Sequence, residues 1–168
     1  MKNKIFVKKN LTLREKDSQF NVGIDIVATG IEIVGKKYND NFLSIDYIEY
    51  DTSIFLDPLK RNSEEQIYTL VYPRSSISKT NLVLSNSVGV IDPNYRDSIK
   101  LRFKYLYQPI DLISYLDYFL IKIDQEKIYK IGDRIGQLIF AKSLETSIEY
   151  VPELMPSDRK GGFGSTGI

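Results

Sequence analysis

The chain has 168 residues, of which 42% are hydrophobic and 27% charged, which is typical of one globular domain rather than a disordered chain. The formal net charge of +1 gives no global field that would favour nucleic acid or an anionic membrane, and no apolar run approaches the roughly 20 residues that span a bilayer. The chain has no Cys and no His, which excludes disulfides, thiolate nucleophiles, cysteine-ligated zinc and a histidine base. Any catalysis must therefore depend on carboxylates, hydroxyls, amides and cations, and any metal should be an oxygen-ligated ion such as Mg²⁺.

Short apolar runs separated by turn residues predict strands along the chain. In order they are KIFVKK (4–9), GIDIVA (23–28), IEIVG (31–35), FLSIDYIEY (42–50), SIFL (53–56), QIYTLVY (66–72), SIKLRFKYLY (98–107), YFLIKI (118–123), DRIGQLIF (133–140) and SIEYV (147–151). The best helix candidate is one short piece near 75–80, with Ser available as its cap. The pattern predicts an all-β barrel or sandwich with at most one short helix.

Three stretches interrupt this rhythm. Residues 59–65 (LKRNSEE) are polar and predict a surface loop. Residues 108–129 are rich in Tyr, Ile and Leu, and predict an extra hairpin or arm. Residues 157–168 (SDRKGGFGSTGI) contain four glycines and cannot build a core, so we expect one domain over 1–156 followed by a flexible glycine-rich arm over 157–168.

The glycine-rich arm contains residues suited to a nucleotide. Glycines allow backbone N–H groups to approach phosphate oxygens, and Ser165 and Thr166 add hydroxyl donors. Arg159 can bind a phosphate through two donors, and the isolated ring of Phe163 suits stacking on a base. The alternative is a mobile terminus without a function.

Two further segments have both a structural and a functional interpretation. Arg74 followed by Ser75 and Ser76 forms either a small anion-binding nest or an exposed Arg beside a helix cap. Asp92 follows an apolar run and precedes a Pro-Asn turn. It is therefore either a turn residue that binds local backbone or, in a chain without His, a candidate general base acting on water.

Five segments, taken in order, resemble the five motifs of the trimeric dUTPase family: GIDIVA, PRSSIS, NSVGVIDPNY, GDRIGQLIF and RKGGFGSTG. The resemblance extends from Gly23 to the last residue. It implies a jelly-roll β-barrel and a homotrimer whose active sites lie between subunits. It also implies hydrolysis of dUTP to dUMP and pyrophosphate, with Mg²⁺ on the triphosphate.

The resemblance also implies roles for individual residues. Asp92 is the expected catalytic residue, which activates the water that attacks the α-phosphorus. Asp25 is expected to act on the metal only indirectly, through water or neighbouring contacts. The expected substrate-binding residues are Arg74, Ser75, Ser76, Asn86, Val90, Tyr95, Gln137, Arg159, Phe163, Gly164, Ser165 and Thr166. Among these, Tyr95 should pack on deoxyribose, Asn86 should lie near uracil, and Phe163 should stack on it.

Two alternatives remain open. The related dCTP deaminases share an Ile-Asp-Pro segment, but they need a Glu on the following strand, where this chain has Arg102, which cannot act as a base. A catalytically vestigial, nucleotide-binding regulatory protein is the second alternative. Since the basic start of the chain lacks the apolar run of a signal peptide, we expect an intracellular, cytoplasmic protein that is not secreted, or one in the host-cell cytoplasm if it is viral or phage-borne. We expect no membrane and no stable nucleic-acid partner.

Overall fold

The structure, a computed structural model, describes residues 4–7, 22–57, 67–144 and 146–156. These residues form twelve strands: β1 (Lys4–Val7), β2 (Ile24–Val27), β3 (Gly30–Tyr38), β4 (Asn41–Asp51), β5 (Ile54–Asp57), β6 (Ile67–Pro73), β7 (Leu82–Leu84), β8 (Gly89–Ile91), β9 (Lys100–Tyr105), β10 (Leu112–Tyr115), β11 (Tyr118–Ile121) and β12 (Arg134–Lys142). Within the described ranges, no helix is long and apolar enough to cross a membrane.

Every strand pairing is antiparallel. One sheet has the order β10-β11-β4-β9-β7, with β3 also paired to β4, and a second has the order β2-β12-β6-β8. A small third sheet pairs β1 with β5. The two larger sheets curl around one core to form a jelly-roll β-barrel, which confirms the predicted fold class.

The core is made by alternate residues of the strands. In β9, Leu101 and Phe103 point inward while Lys100 and Arg102 point outward, as the strict alternation of the sequence predicts. The ring of Phe103 makes edge contacts with those of Tyr50 and Tyr129, at centroid distances of 5.6 and 5.8 Å. Burial of such rings supplies much of the hydrophobic stabilisation of a barrel of this size.

The predicted hairpin within 108–129 is confirmed, since β10 and β11 pair over four residues each. A buried carboxylate anchors its base: Asp111 accepts hydrogen bonds from the hydroxyl of Tyr105 (2.8 Å) and the backbone N–H of Gln108 (2.7 Å). Further along the hairpin, the hydroxyls of Tyr38 and Tyr115 lie 2.8 Å apart. The insert is therefore a well-anchored extension of the six-stranded sheet.

Several local predictions need correction. Residues 147–151 form no strand, and Ile148 and Tyr150 are 83% and 94% exposed. A β-prone run forms a strand only where a partner strand is available, and this run pairs with none of the described strands. The predicted helix is a 3₁₀ helix over Ser75–Lys79, but Arg74 occupies its cap position and no side chain caps it, so the predicted Ser cap is wrong.

Other elements were not predicted or lie elsewhere. A 3₁₀ turn at Pro109–Asp111 and the three-residue strand β7 were not predicted as such, because three residues are too few for a periodic pattern. The strand β8 ends at Ile91, directly before Asp92, as the apolar run before Asp92 indicates. The predicted loop at 59–65 and the glycine-rich arm lie outside the described residues. The boundary between domain and arm stays a prediction.

Candidate active site

The first part of the site lies where the end of β6 meets the first half of β12 and the neighbouring strand β2. The register pairs Asp25 of β2 with Gln137 of β12, and Arg74 follows β6 directly. The carboxylate of Asp25 accepts hydrogen bonds from Gln137 Nε2 and Arg134 Nη1, both at 3.1 Å, and forms an ion pair with Arg74 Nε at 2.9 Å. Two guanidinium groups thus share one carboxylate, which leaves an excess of positive charge beside Ser75 and Ser76. We call these residues, Asp25, Arg74, Arg134 and Gln137, the arginine cluster.

Next to Gln137, the strand β12 passes close to β6 at Gly136. The strand β12 has a register shift between Arg134 and Gly136, typical of a β-bulge. A Cβ at Gly136 would lie 3.0 Å from the carbonyl oxygen of Tyr72 and 2.9 Å from Leu101 Cδ2. A side chain at this position would force β6 or Leu101 to shift, so glycine allows β12 to pass closely between β6 and the core. The tight turn before it is also present, with Gly132 at a φ of 95°.

A buried tyrosine lies next to the arginine cluster. The hydroxyl of Tyr129 is buried and lies beside Ser76 and Arg74, while its ring packs in the aromatic core. Burial raises the pKa of Tyr129, and the neighbouring Ser76 and Arg74 only partly oppose this. The tyrosine therefore stays protonated and offers a neutral hydroxyl to this part of the site.

Asp25 has the wrong surroundings for a direct metal ligand. Its two oxygens already accept hydrogen bonds from Gln137 and Arg134, and one of them also forms an ion pair with Arg74. Moreover, within 4–7, 22–57, 67–144 and 146–156 there is no group of three or more acidic side chains that could hold a metal ion. The donor set fits a Mg²⁺ ion held mainly by phosphate oxygens, with Asp25 acting at most through water.

The second part of the site is a pocket of about 360 Å³ between β8 and β9. Its floor is apolar, made by Val71, Leu84 and Leu101. Its rim contains three residues that the sequence predicted to bind substrate: Asn86, Val90 and Tyr95. The volume lies within the range of small-molecule sites and suits a nucleoside.

Asp92 lies at the exposed end of β8, just outside the residues that line the pocket. A turn follows it, in which the backbone N–H of Tyr95 donates to the carbonyl oxygen of Asp92 at 3.1 Å. The hydroxyl of Tyr95 donates to the carbonyl oxygen of Ser98, also at 3.1 Å. The turn therefore fixes Tyr95 at the pocket rim and leaves the carboxylate of Asp92 accessible to water.

The opposite wall of the pocket is charged, and sequence analysis did not predict it. Buried Glu49 of β4 accepts a hydrogen bond from Lys100 Nζ at 2.7 Å and one from Arg102 Nε at 2.8 Å. The hydrogen bond from Lys100 is the largest cause that lowers the pKa of Glu49, and the bond from Arg102 acts in the same direction against burial. Glu49 is therefore ionised, and each of its oxygens accepts a hydrogen bond from a cation. The only signal in the sequence was the alternation of cations along β9.

The two parts of the site are far apart within one chain. The register pairs Ile91 with Thr69, so Asp92 lies level with the start of β6, whereas Arg74 follows its end. About six residues of strand separate them, or roughly 20 Å at ~3.3 Å per residue. A single described chain therefore does not bring the predicted base and the predicted phosphate ligands together. The predicted arm residues Arg159, Phe163, Gly164, Ser165 and Thr166 lie outside the described residues.

Two relatives found by comparison with known proteins have the same name. The deoxyuridine 5'-triphosphate nucleotidohydrolase of Finegoldia magna is 31% identical over 172 aligned positions, covering 99% of both chains. That of Legionella pneumophila (strain Paris) is 33% identical over 107 residues, a match that spans 60% of the relative's length. No family model matches the chain.

Solved structures show the same fold. The dUTPase of Staphylococcus bacteriophage 80alpha, described with dUPNHPP, superposes with a TM-score of 0.70 over 99% of both chains at 20% identity. A dUTPase of phage phi11 of S. aureus, described with a structural Mg(II) ion, gives a TM-score of 0.61 at 15% identity, over 93% of this chain. At such identities the similarity establishes the fold of the barrel.

Proposed function

Because the chain belongs to the family of deoxyuridine 5'-triphosphate nucleotidohydrolases (dUTPases), we propose that it hydrolyses dUTP to dUMP and pyrophosphate. The observation that carries the proposal is the nucleoside-sized pocket, whose rim contains Asn86, Val90 and Tyr95 and whose edge adjoins Asp92. These are the residues for which the family resemblance implies base, sugar and catalytic roles.

Asp92 is the proposed general base. In a chain without His, an exposed carboxylate at a strand end is suited to accept a proton from water. The water oxygen then forms a bond to the α-phosphorus, and the bond from that phosphorus to the oxygen bridging to the β-phosphorus breaks. Pyrophosphate leaves with the electron pair of that bond.

The arginine cluster is the proposed binding site for the phosphate chain. Arg74 and Arg134 supply charge, while Ser75, Ser76 and Gln137 supply neutral donors. Mg²⁺ bound to the triphosphate would neutralise charge on the phosphates, with Asp25 acting on it only through water. We assign Arg159, Phe163, Gly164, Ser165 and Thr166 of the glycine-rich arm to closing the site over the nucleotide.

A homotrimer with shared sites is the proposed assembly. The separation of about 20 Å between Asp92 and Arg74 supports it, because a site that uses both residues needs two copies of the chain. The exposed segment 146–156 supports it as well. Its apolar side chains, Ile148, Tyr150, Leu154 and Met155, are exposed in a single chain, and so many exposed apolar side chains in one short segment are expected to pack on another subunit.

The charged wall argues against deamination of dCTP. A deaminase of this fold needs a carboxylate that exchanges protons with the base. The pocket does contain a carboxylate, Glu49, but both of its oxygens accept hydrogen bonds from cations and its pKa is lowered. A carboxylate so paired is a poor proton shuttle.

Product analysis tests the proposal. Purified protein should be incubated with Mg²⁺ and either dUTP or dCTP, and the products separated by ion-exchange chromatography. We expect dUMP and pyrophosphate from dUTP. Ammonia release from dCTP would instead support a deaminase, and nucleotide binding without turnover would support a regulatory protein.

A further inference from the structure

We propose that Arg102 is a specificity-determining residue, which donates a hydrogen bond to the carbonyl oxygen at position 4 of a pyrimidine and thereby excludes cytosine. The inference rests on the proposed function, since it assumes that the pocket between β8 and β9 binds the nucleoside. It assigns a role to the charged wall, for which the resemblance to the family gave none.

The guanidinium group of Arg102 is held on two sides. Its Nε donates to Glu49 Oε2 at 2.8 Å, and its Cζ lies over the ring of Tyr47, 4.4 Å from the centroid. The two Nη atoms make no hydrogen bond to any of the described residues. Arg102 therefore lines the pocket, oriented by these two contacts and with donors available to a ligand.

The position of Arg102 along β9 places it at the base end of the pocket. The backbone N–H of Ser85, the neighbour of Asn86, donates to the carbonyl oxygen of Arg102 at 2.9 Å. Tyr95 instead binds the carbonyl oxygen of Ser98, four residues earlier and roughly 13 Å away along the strand. If Tyr95 packs on the sugar, then Arg102 lies beside the base.

The chemistry of the two pyrimidines then decides which one fits. Uracil has a carbonyl at position 4, which accepts hydrogen bonds, whereas cytosine has an amino group, which donates them. Arg102 can only donate. On the same wall, Lys100 and Arg102 place cationic donors around Glu49, so the amino group of cytosine would face positive charge. In a complex with cytosine, the N–H donors of its amino group would therefore face the N–H donors of Arg102.

The test compares the affinities for dUMP and dCMP in the full-length protein by calorimetry. The variants are Arg102→Ala, Arg102→Lys and, as a matched control, Lys104→Ala. Lys104 points outward from the same strand, but it binds the carbonyl oxygen of Asp46 and does not line the pocket. We expect Arg102→Ala to reduce the preference for dUMP over dCMP about 10- to 100-fold. Arg102→Lys should retain part of the preference, since an ammonium still donates, and Lys104→Ala all of it.

The outcomes separate this inference from the proposed function. An unchanged ratio of the two affinities in Arg102→Ala overturns the inference, even if affinity for both nucleotides falls, because a merely structural role would weaken both alike. In that case dUTP turnover by the wild-type protein still supports the proposed function. If the wild-type protein neither turns over dUTP nor prefers dUMP, the proposed function fails and the inference fails with it.

Discussion

Asp92, the proposed general base, lies at an accessible strand end beside the pocket rim. Replacing it by Asn keeps the size of the side chain and removes its ability to accept the proton of the attacking water. We expect Asp92→Asn to lower kcat for dUTP by at least ~10²-fold, since a positioned base contributes about 10²–10⁴. Steady-state assays with a coupled pyrophosphate readout measure the loss. Near-normal kcat would remove Asp92 from the mechanism.

Glu49 links the charged wall to the stability of the barrel. Its pKa in the folded protein is lowered from the ordinary value of 4.5, first by the hydrogen bond from Lys100, so its ionised form stabilises the fold. This contribution is fully present above pH 4.5 and is lost as the pH falls through the lowered pKa of the folded protein. The other carboxylates on this face are those of Glu32, the register partner of Glu49 on β3, and Asp51, the register partner of Lys100.

We therefore expect Glu49→Gln to be less stable than the wild type at pH 7, with the difference shrinking as the pH falls below about 4.5. Urea denaturation midpoints between pH 7 and pH 3 measure this difference. Glu126→Gln is the control, because Glu126 forms only an exposed ion pair with Lys130, for which little stabilisation is expected. If the difference in stability between Glu49→Gln and wild type does not change with pH, the stabilising role assigned to the ionised form of Glu49 is wrong.

At the scale of residues, site residues that are close together along the chain can be predicted from the sequence, whereas contacts between distant residues cannot. Asn86, Asp92 and Tyr95 lie within ten residues of one another, and a short motif contains all three. Glu49 lies more than fifty residues from Arg102, and only the pairing of β4 with β9 brings them together. Arg134 likewise reaches Asp25 through the pairing of β12 with β2. Such contacts depend on strand order, which the local pattern does not contain.

At the scale of elements, the hairpin of β10 and β11 depends on one buried carboxylate. Removing the side chain of Asp111 leaves the hydroxyl of Tyr105 and the N–H of Gln108 without their acceptor. We expect Asp111→Ala to lower the free energy of unfolding by about 3 kcal/mol, because hydrogen bonds to charged groups contribute about 1.5–3 kcal/mol each. Chemical denaturation measures this loss.

Asp117→Ala provides the control for this variant, since Asp117 lies exposed at the turn of the same hairpin. Its denaturation curve should match that of the wild type. Equal stability of Asp111→Ala and Asp117→Ala would mean that the hairpin is anchored by its apolar contacts alone.

Elements with a clear period were predicted well, and short or unpartnered ones were not. The long strands β4 and β12 are close to their predicted bounds, because alternation over many residues is a strong signal. The run 147–151 has the composition of a strand but pairs with no described strand. Its apolar residues are exposed in one chain, and we attribute them to the proposed assembly.

At the scale of the whole molecule, the account depends on a site assembled from different chains. Asp92 lies beside the pocket of one chain, and Arg74 belongs to the arginine cluster at the other end of β6. In a shared site, the base of one subunit acts on a nucleotide whose phosphates are bound by another. Two variants that are each inactive could then complement one another after mixing.

The most direct measurement is therefore dUTP turnover by a co-refolded mixture of Asp92→Asn and Arg74→Ala. Each variant alone should be nearly inactive. In random mixed trimers, about one quarter of the sites should combine an intact Asp92 with an intact Arg74, so activity should return to about a quarter of the wild-type value. Activity no greater than the sum of the two separate variants would contradict a dUTP site shared between subunits.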